Sequence, residues 1–176
     1  PTSYEGDQMI IARQLREQDA SFPAVYMVYA SQTQFLEIGK DADFLVSQTL
    51  MHDKINWKVN AGLNRSQVVE RYKKLFPNVA YPADFQTALA YSAGAVLEEI
   101  IKKANSVDPA KMKQAALDLN GKLTVMTGPY NILPTGKQTS MEFVIMQNQK
   151  TGTEVVYPSS VATAKAVYPM PPYSSR

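Results

Sequence analysis

The residues able to do covalent or acid–base chemistry are few in this chain, and their spacing disperses them. The single histidine, His52, stands beside Asp53, and there is no cysteine. An imidazole acting as general base needs a nucleophile and a pocket around it, and no GxSxG, GxGxxG or GxxxxGK[ST] pattern supplies either. One His and no Cys exclude a His-rich or thiolate metal site and any disulfide. Pro134–Lys137 (PTGK) shares only its last two letters with a phosphate loop and reads as a glycine turn. Glu98 and Glu99 are adjacent on a helical pattern, so they point about 100° apart and cannot share a proton. With Lys102 and Lys103 four residues on, they read as ion pairs on a solvated face. No catalytic residue, no metal site, no cofactor and no enzymatic activity is therefore expected. The tyrosines say more. Of the ten, Tyr4, Tyr26 and Tyr29 fall where helices and strands should end. In α/β sheets ligands sit beyond the carboxyl ends of strands, and tyrosine offers a stacking face and a hydroxyl. Tyr4 and Tyr29 are accordingly candidates for a ligand-binding wall.

The bulk numbers agree with a packed globular protein. Of 176 residues, 45% are apolar and 19% charged, a balance suited to a globular core. The 18 basic and 16 acidic residues leave a formal charge of only +2, with no run of Lys or Arg beyond two, so a nucleic-acid partner is not expected. The longest apolar stretch, Ala93–Ile101, is broken by Glu98 and Glu99 and falls short of a membrane span. The chain opens on Pro1, with neither Met nor a signal peptide, so a processed or trimmed piece of a longer protein is expected.

The elements that must position the candidates follow from periodicity and punctuation. Asp7–Gln18 has a helical pattern, with Ile11 and Leu15 on one face and Gln8 and Ala12 beside them. Phe22–Tyr29 (FPAVYMVY) predicts a buried strand, Ser31–Ile38 a short helix stopped by Gly39, and Asp43–Leu50 a second strand. That order implies parallel pairing with crossover helices. Residues 51–63 are polar and irregular. Asn64 with Gln67 forms a capping-box signature before a helix at Arg65–Leu75. Asp84 caps the longest predicted helix, Phe85–Ala104, whose apolar stripe runs through Leu89, Ala93, Val96, Ile100 and Ala104, widened by Leu97 and Ile101. Asp108-Pro109 opens a short helix over Ala110–Leu119 that Asn120-Gly121 ends. Beyond it, Tyr130–Leu133, Met141–Gln147 and Thr153–Tyr157 read as strands separated by turns, and the tail from Ser159 as extended and surface-bound.

The second half also resembles a known family. The segments are YKKLF (Tyr72–Phe76), PADFQTALAYSAGAVLEEIIKKA (Pro82–Ala104) and the helix start Ser106–Pro109. TGPYNILPTGK (Thr127–Lys137) and VVYPSSVATAKAVYPMPPY (Val155–Tyr173) complete the set. In this order they resemble the C-terminal part of the type I periplasmic solute-binding proteins, in particular the branched-chain amino-acid binding family of ABC transporters. More weakly, SYEGDQMIIARQLREQ, FPAVYMVY and KDADFLVSQTL resemble that family's second-lobe helix–strand–helix–strand unit. The resemblance implies an α/β fold of Rossmann-like three-layer lobes, incomplete in this chain. Residues 1–50 and 144–176 would be part of the second lobe, and residues 51–143 a contribution to the first. Crossings are implied near Ser47–Trp57 and Met141–Asn148.

The same resemblance implies function: an extracytoplasmic solute-binding subunit, periplasmic or extracellular, that closes on a small amino acid or organic acid in an interlobe cleft and is read by an ABC permease. A ligand-sensing domain of the same fold is the alternative. Ser3 and Tyr4 match the family's second-lobe cleft loop, and Phe85 and Gln86 the cleft-facing start of its long helix. Where the family often carries a carboxylate for the ligand's ammonium, this chain has Val28-Tyr29-Ala30-Ser31. Tyr29 and Ala30 then face the solute, and a ligand without an ammonium, such as an aromatic or keto acid, is favoured, because a buried unpaired ammonium is costly. The family's earlier carboxylate-holding Ser and Thr are not in this chain. The missing N-terminal part, if supplied by a separate chain, is an implied partner, and the isolated chain is expected to bind solute weakly or not at all.

Overall fold

A computed structural model describes residues 3–176. The chain divides into two compact units. Unit 1 takes the described residues through Thr49 and resumes at Phe143–Arg176, and unit 2 is Leu50–Glu142.

Unit 1 begins with helix α1 (Glu5–Glu17), which buries Gln8 and Ala12 one turn apart. Its acidic first turn (Glu5, Asp7) and basic last turn (Arg16) match the helix dipole, and Arg16 pairs with Asp41 at 2.5 Å. A short helix α2 (Thr33–Leu36) and a single 3-10 turn at Gly39–Ala42 follow. Gly39 has φ of 61°, the left-handed backbone expected where glycine stops a helix. Strand β1 (Val46–Thr49) lies beside β4 (Val144–Gln149), which lies beside β5 (Gly152–Tyr157), and both pairings are antiparallel.

The predicted strand at Phe22–Tyr29 is not regular. It makes one parallel bridge, Tyr26 to Val46, so the expected parallel sheet reduces to a single contact. The segment still packs inward: Val25, Met27 and Ala30 join Ala12, Phe35, Phe44 and Leu45 in one core. Pro23 lacks a backbone N–H, and Ala30 N–H turns back to Met27 C=O, so the ladder cannot run on. The tail is tied down more firmly than expected. Met170 and Tyr173 are buried, and Met170 N–H donates to Pro23 C=O at 2.8 Å.

Unit 2 contains helices α3 (Arg65–Leu75), α4 (Phe85–Ala104) and α5 (Pro109–Asp118), with a two-residue antiparallel pair, β2 (Thr124–Val125) and β3 (Gly128–Pro129). The expected caps are all formed: Asn64 and Asp84 make full capping boxes, and Asp108 accepts from two amides ahead of Pro109. Tyr130–Leu133 contributes only an isolated bridge, Ile132 to Gln138. The face α4 buries overlaps the predicted stripe in part, since Val96 and Ile100 pack against the core of unit 2. Ala88, Ser92 and Ala95 are buried, while Ala93 is exposed and Leu97 is 47% exposed. A close approach constrains one position of that face: a Cβ on Gly62 would lie 2.9 Å from Ala95 Cβ and 3.0 Å from Tyr91 Oη, so residue 95 must be small where it meets that loop. Tyr91 Oη in turn accepts the Leu63 N–H at 2.7 Å. Lys102 bridges Glu98 and Glu99 at 2.7 and 2.9 Å on the solvated side of the helix, as their spacing suggests.

Candidate functional site

Four of the six candidate residues lie in unit 1, and buried amide side chains bring three of them into one hydrogen-bonded assembly. Gln8, only 1% exposed, projects from the first turns of α1. Its Nε2 donates to the Ser3 carbonyl at 2.9 Å, and its Oε1 accepts the Tyr29 N–H at 3.3 Å. One residue further on, the Ala30 carbonyl accepts from Asn148 Nδ2 at 2.7 Å. The same Nδ2 donates to Ala42 C=O at 3.1 Å, and Thr153 Oγ1 donates to Asn148 Oδ1 at 3.0 Å. A buried amide is stable only when its donors and acceptors are matched, and each of these two spends one of its bonds on the loop that carries Tyr29 and Ala30. Gln147 works alongside: Nε2 donates to the carbonyls of Phe44 and Val167, and Oε1 accepts the Val167 N–H at 2.8 Å.

The side chains of the four differ in what they offer. Tyr4 is 81% exposed at the N-cap of α1, with its carbonyl holding the Gln8 N–H. Tyr29 is half-buried against the core. The Ser3 hydroxyl is buried and finds no hydrogen-bond partner among the described residues. Ala30 is fully buried, so its contribution is a carbonyl and a position, not a side-chain surface.

Unit 2 holds Phe85 and Gln86 in the first turn of α4. Asp84 Oδ1 accepts the Thr87 N–H at 2.9 Å, and Thr87 Oγ1 accepts the Asp84 N–H at 3.4 Å. That reciprocal cap fixes the turn, leaving Phe85 half-buried and Gln86 exposed. His52, by contrast, accepts the Lys54 N–H through Nδ1 at 3.2 Å, and Asp53 pairs with Arg65. Among the described residues no group of three or more His, Cys, Asp or Glu gathers to hold a metal ion. Nor is any helix among the described residues long and apolar enough to cross a membrane.

Sequence reading did not single out Gln8 or Asn148. Their signal was polarity at positions the pattern buries. Gln8 is one turn before Ala12 on the inner face of α1, and Asn148 sits in a run of amides, Gln147-Asn148-Gln149, on an otherwise apolar strand.

No protein-family model and no curated protein matches the sequence. Solved structures do match the fold. An extracellular ligand-binding receptor from Rhodopseudomonas palustris superposes with a TM-score of 0.65 at 18% identity, over 84% of this chain and 44% of its own. A type 1 periplasmic binding protein from Bordetella pertussis Tohama I gives 0.64 at 16%, over 85% and 42%. An ABC transporter substrate-binding protein from Desulfitobacterium hafniense, in complex with Leu, gives 0.54 at 14%, over 88% and 49%. The chain thus has an α/β fold with the topology of type 1 periplasmic binding proteins, and it spans less than half the length of each of these three structures.

Proposed function

We propose that this chain is part of an extracytoplasmic solute-binding protein, a non-catalytic binder that delivers a small organic acid to an ABC permease. The observation that carries the reading is the likeness of fold to solved binding proteins over 84% of the chain. The amide-built assembly around Ser3 and Tyr29 supports it, because a binding wall needs its backbone held before the ligand arrives. Unit 1 is read as the later part of the second lobe and unit 2 as a contribution to the first. Ser3, Tyr4 and Tyr29 are the proposed solute contacts of unit 1, with Ala30 setting the loop through its carbonyl. Phe85 and Gln86 are those of unit 2. The loop at Val28–Ser31 offers no carboxylate for an ammonium, which favours an aromatic or 2-oxo acid over an amino acid.

The test is a pairwise titration of the longer polypeptide that joins this chain to the rest of its binding cleft, followed by thermal shift and calorimetry. Leucine and phenylalanine are compared with 4-methyl-2-oxopentanoate and phenylpyruvate. The deaminated partner is expected to bind more tightly than its amino acid by at least about tenfold, which is about 1.4 kcal/mol. Tyr29→Ala is expected to weaken it by a similar factor while leaving the fold intact. Tighter binding of the amino acids would overturn the ligand class, and no saturable binding of any of the four would overturn the reading.

A further inference from the structure

One residue bonds all three unit-1 residues whose side chains are the proposed solute contacts. The Gln8 backbone N–H donates to the Tyr4 carbonyl at 3.1 Å. Its side-chain Nε2 donates to the Ser3 carbonyl at 2.9 Å, and its Oε1 accepts the Tyr29 N–H at 3.3 Å. The two side-chain bonds reach partners 5 and 21 residues away. Tyr4, the N-cap of α1, makes no capping bond through its side chain. The Gln8 amide, one turn into the helix, supplies a side-chain bond to the chain entering it instead. On the other side, the Tyr29 N–H lies between two turn bonds, Ala30 N–H to Met27 C=O and Gln32 N–H to Tyr29 C=O. It stands outside the strand ladder, and Gln8 Oε1 accepts it.

Gln8 is only 1% exposed, so water cannot readily replace either bond. An amide buried with its two ends on two separate segments acts as a spacer. The length of one side chain then sets the distance between the Ser3 entry to α1 and the turn that carries Tyr29.

We propose that Gln8 is a positioning residue for the solute. Its amide holds the Ser3–Tyr4 segment and the Tyr29 turn in the arrangement that binds, without touching the solute itself. The inference rests on the solute-binding reading above and adds the group that sets the geometry of the unit-1 wall. It requires a donor toward Ser3 and an acceptor toward Tyr29 at the same time.

A carboxyl group separates positioning from space filling, because its donor comes and goes with pH. In Gln8→Glu the protonated carboxyl keeps the shape of the amide, accepts the Tyr29 N–H and donates its O–H to the Ser3 carbonyl. Once ionised it can only accept, and it sets a negative oxygen against that carbonyl. Burial raises the pKa of such a group above the ~4.3 of a free glutamate, so its ionisation is expected between about pH 5 and pH 8. The segments Gln8 joins carry Glu5 and Asp7 on α1, while residues 20–36 contain no Asp, Glu, Lys, Arg or His. Reading the ratio of variant to original affinity at each pH cancels the response of Glu5 and Asp7.

Phenylpyruvate, ionised throughout this range, is titrated by calorimetry into the longer polypeptide that joins this chain to the rest of its binding cleft. Gln8→Glu is expected to match the original at the acid end. At the alkaline end it should bind about tenfold more weakly, as the fraction of molecules with the wall correctly arranged falls to about a tenth. Gln8→Met fills the same space with neither bond and is expected to be weaker by a similar factor at every pH. Thermal unfolding at the same pH values restricts the comparison to folded protein, and Gln8→Met decides alone if Gln8→Glu does not fold. A Gln8→Glu affinity equal to the original at both ends, or a Gln8→Met affinity equal to it, would overturn the positioning role and leave the solute reading intact. No saturable binding by the original sequence would overturn both.

Discussion

The two units are held together by information of different range. In unit 2 the helices are specified within their own segments. Asn64 caps α3 through Gln67, Asp84 caps α4 through Thr87, and Asp108 caps α5 through Ala110 and Lys111. Each of these bonds closes over two or three residues. Unit 1 is specified across the chain. Asn148 reaches back 118 residues to Ala30 and 106 to Ala42, and Gln147 reaches 103 to Phe44. Where the ladder stops short at Phe22–Tyr29, buried amides take over the hydrogen bonds a strand would have made. A segment fixed this way keeps an irregular backbone in one place, and that irregular backbone carries Tyr29 and Ala30.

Removing the long-range clamp should be the more damaging change. Asn148→Leu keeps the branched side-chain shape but leaves the Ala30 carbonyl buried without a donor and the Thr153 hydroxyl without its acceptor, while Leu45 N–H still reaches the Ala42 carbonyl. An unsatisfied buried group costs about 1–3 kcal/mol, so a loss of about 2 kcal/mol is expected. Hydrogen exchange should place that loss in unit 1, with faster exchange across residues 25–46 and unchanged rates in α3 and α4. Equal acceleration in both units would erase the distinction drawn between them.

Removing a local cap should cost less and stay local. Asp84→Ala deprives the Thr87 amide of its acceptor and is expected to cost about 1 kcal/mol. Exchange should quicken in the first turn of α4, with unit 1 unaffected. An effect as large as that of Asn148→Leu would mean that the cap supports more than its own helix.

This contrast also explains what the sequence revealed. The helices α3 and α4 match their expected bounds, because caps and periodicity are written within a few residues. The face α4 buries was legible only in part. Val96 and Ile100 pack on the core as their period suggests. The most buried positions, however, are the small Ala88, Ser92 and Ala95, which a hydrophobicity pattern ranks below Leu89 and Leu97. The close approach of Gly62 at Ala95 is not visible in the sequence. Phe22–Tyr29 has the composition of a strand, but Pro23 and the turn at Met27–Ala30 decide otherwise. Of the candidate site, tyrosines at element ends were visible as residue types. That Ser3, Tyr29 and Ala30 are joined through Gln8 and Asn148 was not, because it depends on contacts between segments far apart in sequence.

The most direct test of the binding account is residue-resolved hydrogen exchange on the polypeptide carrying this chain, with and without saturating phenylpyruvate. Binding at the proposed residues should slow exchange in two places, around Tyr29–Ser31 and in the first turn of α4 at Phe85–Thr87, and little elsewhere. Protection confined to other segments, with both of these unchanged, would contradict it.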